Sequence, residues 1–140
     1  MKLFKILSIG LILTCFYTIG KAQKPLQVYR AFEYSKEYYP DKKSWAPFSS
    51  CTVNFEFYQY RIEMYNTENR YKRNTYALIP AQTTRSRDAQ GNNIIIYVCK
   101  DLEFGGTTQF KYISNKSGSE YIYMLIEGYP SLAYKVARTQ

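Results

Sequence analysis

Histidine is absent from the 140-residue chain. That removes the commonest general base near neutral pH and the commonest metal ligand, so serine or cysteine triads of the usual kind cannot be assembled. Cysteine is scarce. Cys15, Cys51 and Cys99 are the only three, no two of them form a Cys-x-x-Cys pair, and a cysteine zinc site is excluded. No metal and no cofactor is expected. Glycine offers no phosphate cradle either: Gly105-Gly106 lacks the spacing and the following helix that an anion loop needs. The chain has no internal repeat, no convincing helix and a single tryptophan, Trp45. Paired carboxylates, as in glycoside hydrolysis, survive these exclusions, with Asp101 and Glu103 beside the Gly-Gly turn as candidates. Two acids at a hairpin read more simply as a solvated turn. An enzyme therefore ranks third among the functional readings, limited to acids, lysine and tyrosine for proton transfer.

What the chain has in abundance is tyrosine, sixteen residues in all. Tyrosine favours strands and half-buried faces, because its ring buries area while its hydroxyl keeps a hydrogen bond. The organising stretch is Cys51 to Tyr65, the longest run with the two-residue period of a strand. Val53, Phe55 and Phe57 share one parity and Tyr60, Ile62 and Met64 the other. A bulge or reversal is thus required between Phe57 and Tyr60. Charged Glu56, Arg61 and Glu63 oppose them, as on a sheet with one face packed and one wet.

The amino terminus has the three parts of a secretory signal: Lys2 and Lys5, an apolar run from Ile6 to Ile19, and Gly20-Lys21-Ala22 as a cleavage site. The run of roughly fourteen residues is shorter than the ~20 needed to span a bilayer. A lipid-modified Cys15 is a further possibility, weakened by Thr14 where a small residue is wanted. The expected division is residues 1–22 as signal peptide and 23–140 as one all-β domain. The formal charge of +8 then falls to +5, since Lys2, Lys5 and Lys21 leave with the signal.

In the mature chain, Leu26 to Tyr34 reads as a first strand, with Val28, Phe32 and Tyr34 on one parity; a helix running to Tyr39 is the alternative. Residues 36–50 read as a long connection in which Trp45 plugs one end of the core. Thr75 to Ile79 reads as a strand ended by Pro80, and Ala81 to Asn93 as a polar loop. Ile94 to Val98 and Tyr121 to Ile126 are apolar on both parities, the mark of strands covered on both faces. Asn115-Lys-Ser-Gly118 is a hairpin signal. The sum is an all-β, single antiparallel domain of about eight short strands, a meander barrel or half-barrel, with a β-sandwich as the alternative.

Two basic elements, Arg70-Tyr71-Lys72-Arg73 and Arg85 with Arg87, are the candidate binding residues. Together they would hold a polyanion, with Tyr71 and Tyr76 as stacking groups. For an exported chain that polyanion is an anionic envelope component rather than nucleic acid. Tyr38, Tyr39, Tyr58, Tyr60 and Tyr129 exceed what so small a core can bury, so some are expected on a surface fit for a peptide or sugar. Cys51 and Cys99 are the one possible disulfide: the compartment favours it, and the parity of Cys99 leaves it open. With its lysine-bearing signal, its strand pairs, Tyr97-Val-Cys-Lys-Asp101 and Tyr123-Met-Leu-Ile126, the chain resembles the uncharacterised small exported β-proteins of Gram-negative bacteria. That resemblance implies a periplasmic, outer-envelope or secreted location and no activity. The sequence reading is thus a non-catalytic surface-binding module, with a structural or inhibitory partner acting through an exposed strand edge as the alternative.

Overall fold

The computed structural model describes residues 23–139, so the expected signal peptide and Cys15 lie outside the described residues. The strands, in chain order, are β1 (Gln27–Ser35), β2 (Tyr38–Tyr39), β3 (Ser44–Trp45), β4 (Ser49–Phe57), β5 (Arg61–Asn66), β6 (Arg73–Leu78), β7 (Thr84–Arg87), β8 (Asn93–Asp101), β9 (Thr107–Ser114), β10 (Glu120–Ile126) and β11 (Leu132–Thr139). Eight of them close into a barrel in the order β1-β4-β5-β6-β8-β9-β10-β11, every neighbour antiparallel, with β11 returning to β1 and β8 to β6. Strand follows strand around the wall, so this is a meander, and the sandwich alternative falls. β7 is a ninth strand on β8, and β2 with β3 forms a separate hairpin.

The inner parity is apolar and filled. Tyr29, Ala31, Phe55, Phe57, Ile62, Tyr76, Cys99, Phe110, Tyr112, Ile122, Met124, Tyr134 and Val136 form one buried cluster. Phe55 is fully buried, with ring centroids 6.2 Å from Phe110 and 5.1 Å from Tyr134. The aromatic rings meet edge to face, the arrangement their quadrupoles favour. The interior is therefore occupied by these side chains, as in other small barrels.

Several details differ from the sequence reading. The phase change after Phe57 is the β4–β5 reversal, but Tyr60 sits in its tip and is exposed, while Ile62 carries the inward face. In β1 the inward residues are Tyr29 and Ala31, because a bulge between Ala31 and Glu33 pushes Phe32 outward and returns Tyr34 to the inner side. The helical alternative for this segment is not formed. The stretch read as a polar loop after Pro80 contains β7, paired through Arg87↔Asn93 to Thr84↔Ile96.

Cys51 and Cys99 are free thiols. Cys99 shares the inward face with Ile95 and Tyr97, which is the parity that would have permitted a bond. Barrel closure forbids it: β4 and β8 are separated by β5 and β6, three strand steps of ~4.8 Å around the wall. Disulfide-bonded residues need their Cα atoms within about 7 Å.

Candidate functional site

The outward parity of β10 carries Tyr121, Tyr123 and Leu125, and that of the adjacent β9 carries Lys111 and Ile113, with Tyr123 directly opposite Lys111. Apolar side chains on the outside of a barrel need a cover, and the β2–β3 hairpin supplies part of one. Its turn is closed by the Lys43 N–H donating to the Pro40 carbonyl at 3.1 Å, with Lys43 at φ 49, and its base by the Ala46 N–H donating to the Glu37 carbonyl at 2.9 Å. That fold-back brings Trp45 to 5.7 Å from Tyr123 and Tyr38 to 5.3 Å from Trp45, centroid to centroid. Tyr121 stacks beside Tyr123 at 6.1 Å with planes 20° apart. Trp45 therefore lies on the outer wall and does not plug an end of the core.

The result is a shelf of aromatic rings with a groove of about 370 Å³ between hairpin and wall, lined by Tyr38, Trp45, Lys111, Ile113, Tyr123 and Leu125, with Ser131 at its rim. Two further hollows adjoin it through Ser131. One, of about 430 Å³, reaches Lys36, Glu37 and Pro130, and the other, of about 320 Å³, reaches Thr107, Gln109 and Glu127. Burial, and then the neighbouring Tyr121 phenol, raise the Tyr123 phenol above its ordinary value, so it stays a neutral hydrogen-bond donor across the physiological range. The surface thus offers ring faces, one ammonium and hydroxyls. Among the described residues lining it, none forms a hydrogen-bonded nucleophile–base pair.

The basic residues singled out from the sequence do not converge. Arg70, Tyr71 and Lys72 occupy the β5–β6 turn at one end of the barrel, fully in solvent. Arg85 and Arg87 lie on β7 past Pro80, beyond the full length of β6, roughly 17 Å at ~3.3 Å per residue. Arg73 is engaged elsewhere. Its Nη1 donates to Glu56 Oε2 at 2.7 Å and to Glu63 Oε2 at 2.6 Å, and its guanidinium stacks 4.2 Å from the Tyr65 ring. Around Glu56 the phenols of Tyr58 and Tyr65 donate at 2.7 Å each, while Arg61 closes the other side through Glu63 Oε1 at 2.7 Å. Burial pushes the Glu56 carboxyl up, but these two phenols and Arg73 outweigh it and hold the group below the usual carboxylate range. The network is a clasp across β4, β5 and β6, and it explains why Tyr58 and Tyr65 are buried on the wet side of the sheet. Tyr76 points into the core against Phe110, centroids 4.9 Å apart, so it is no stacking platform.

The acidic pair is also structural. The Asp101 carboxylate accepts the Glu103 and Phe104 N–H groups at 2.8 and 3.0 Å, capping the β8–β9 turn that Gly105 and Gly106 complete at φ 75 and 78. Sequence reasoning named Tyr38 among the surface tyrosines but missed Trp45, Tyr123 and the shelf they form with it. Its signal was the doubly apolar run from Tyr121 to Ile126 beside a lone tryptophan in a polar connection. Among the described residues no cluster of potential metal ligands occurs, and no helix is long and apolar enough to cross a membrane. No family model, curated protein or solved structure matches the chain.

Proposed function

We propose that the chain is an exported, non-catalytic binding module that holds its ligand on the outer aromatic shelf. The observation that carries this reading is a barrel filled to its centre by Phe55, Phe110 and Tyr134, set against an outer groove lined by Tyr38, Trp45 and Tyr123. Binding sites of this size combine apolar rings with a few polar groups that fix orientation. The ligand class that fits is carbohydrate. The rings meet the C–H faces of a sugar, Ser131 and the tyrosine hydroxyls meet its hydroxyls, and Lys111 favours an acidic unit, as in the anionic glycans of a cell envelope. Export rests on the lysine-bearing apolar leader, and predicts a mature chain that starts at Gln23. An intact Met1 terminus on the periplasmic or secreted protein would refute it.

Trp45, the sole tryptophan, reports on the groove directly. Titration with neutral and uronic-acid oligosaccharides should shift its emission with Kd near 0.1–1 mM, about −4 to −5.5 kcal/mol. Tyr123→Ala should weaken that binding by about tenfold or more, ~1.4 kcal/mol. Emission unchanged by every sugar up to about 10 mM, with titration calorimetry equally silent, would overturn the reading.

A further inference from the structure

Closing a sheet into a barrel removes its edges. The ninth strand, β7, lies outside that closure and keeps one edge free. The β6 strand keeps its bond to β8 as far as Ile79, whose N–H donates to the Val98 carbonyl at 2.9 Å; the next pair is Thr84↔Ile96. Five steps on one strand thus oppose two on the other, and Pro80–Gln82 bulges out as a 3-10 turn. On the far side β5 has already ended, its last contact being the Leu78 N–H to the Tyr60 carbonyl at 2.9 Å. β7 therefore pairs with β8 alone, and all four of its residues are exposed.

The hydrogen-bond phase says which groups are left over. The Asp88 N–H donates to the Asn92 carbonyl at 3.2 Å, which makes Arg87↔Asn93 a non-hydrogen-bonded pair. Alternation along an antiparallel ladder then makes Ser86↔Ile94 and Thr84↔Ile96 the bonded pairs. The backbone N–H and C=O of Arg85 and Arg87 consequently point away from β8, into solvent. Their side chains stand on one face, two residues apart. Arg87 Nε donates to Asn93 Oδ1 at 3.0 Å, and none of the ion pairs among the described residues includes either arginine.

A second copy of β7 is a poor occupant. Outward-facing groups must meet outward-facing groups, so every antiparallel self-pairing within β7 sets Arg85 or Arg87 opposite another arginine, and like charges directly opposite destabilise a sheet. The same charges select the opposite sign. We propose that the β7 edge docks an extended acidic segment of a partner protein, which adds a strand to the sheet with carboxylates at alternate positions, opposite Arg85 and Arg87. Main-chain bonds would supply affinity and the arginine pair the choice of partner.

The test uses the chain from Gln23 onward and a labelled peptide of about ten residues alternating valine and glutamate, beside its lysine counterpart. Fluorescence anisotropy should show the acidic peptide binding and the basic one not. Arg85→Ala and Arg87→Ala should each weaken it by about tenfold. Amide exchange by NMR should show the Arg85 and Arg87 N–H groups fast in the free protein and protected in the complex. Arg87→Pro removes an outward N–H while leaving the Ser86↔Ile94 pair, and should abolish binding beyond the Arg87→Ala loss; should that variant fail to fold, amide protection in the unaltered chain decides. No binding of the acidic peptide up to about 1 mM overturns the proposal. So does binding that leaves both amides exchanging as before, or a sulfated oligosaccharide that displaces the peptide and leaves them unprotected, since the arginines are then a polyanion site and not an edge.

Discussion

Phe55→Ala tests the barrel at its centre. Phe55 is fully buried midway along β4, between Phe110 on β9 and Tyr134 on β11, so its ring bridges opposite walls. Removing it forfeits the burial of one large apolar side chain, about 1.5–3 kcal/mol. It also abolishes two edge-to-face contacts, each worth about 0.5–1.5 kcal/mol beyond area, and leaves a cavity that a closed wall collapses onto poorly. These contributions overlap, and phenylalanine truncations in cores cost about 3–5 kcal/mol in total. We expect about 4 kcal/mol, a large share of the roughly 5–15 kcal/mol that holds a domain folded. Urea denaturation followed by tyrosine fluorescence should show a lower midpoint with an unchanged m-value, since the surface exposed on unfolding is nearly the same. Tyr60→Ala, in the exposed β4–β5 tip, serves as the control and should move the midpoint within about 0.5 kcal/mol. Equal midpoints for Phe55→Ala and the unaltered chain would refute the placement of β4's inner face, and with it the barrel register.

The remaining predictions concern the outer wall. Glu56→Gln should cost about 1–2 kcal/mol at pH 7, the value of charge-assisted hydrogen bonds from Tyr58, Tyr65 and Arg73. Because the folded-state pKa of Glu56 is depressed, its contribution is fully present above the unfolded value of about 4.3 and is lost as pH falls through the folded one. The gap between variant and unaltered chain should therefore close between about pH 5 and the folded pKa, and a gap that persists below that range would refute the assigned sign. Lys72→Ala, in the open turn between β5 and β6, should leave stability within about 0.5 kcal/mol, whereas Arg73→Ala should cost more by breaking contacts to both glutamates; denaturation midpoints separate the two.

Architecture was legible in the sequence where one parity alone was apolar. Val53, Phe55 and Phe57 face inward as their alternation requires, and the short connections after Asn93 give the meander directly. The errors fall where something besides periodicity sets the face. In β1 a single bulged residue, Phe32, inverted the apparent inner side, because a bulge leaves no mark in composition when both flanks carry aromatics. Arg85 and Arg87 looked like loop because β7 is polar throughout, and a strand that buries nothing has no hydrophobic signature to read. Arg73 looked free because its partners, Glu56 and Glu63, are seven residues apart in sequence and meet only once β4 and β5 fold back on each other. The shelf follows the converse rule. Tyr121 to Ile126 was legible as apolar on both faces, but its outer face is only partly covered, with Leu125 exposed, and the cover is a hairpin about eighty residues earlier, so no local pattern could say that it carries Trp45.

The cysteines carry that lesson to a measurement. Parity is a local property: it turned Cys51 inward and left Cys99 open, and the fold turns both inward; distance around a closed wall is a global one, and it keeps them apart. Each should therefore behave as a small core residue. Burial alone pushes the Cys99 thiol up to about 12, and the more accessible Cys51 is raised chiefly by partial burial, with nearby Glu33 adding to it. A thiol reacts through its thiolate, so at pH 7.5 Cys51 should alkylate slowly in the native protein and Cys99 only through unfolding. In the Phe55→Ala variant, Cys99 labelling that proceeds through global unfolding should accelerate in step with the lost stability. Mass spectrometry after alkylation in denaturant without reductant should count two labels on the mature chain. No label would mean a Cys51–Cys99 bond, and β4 could not then lie three strands from β8.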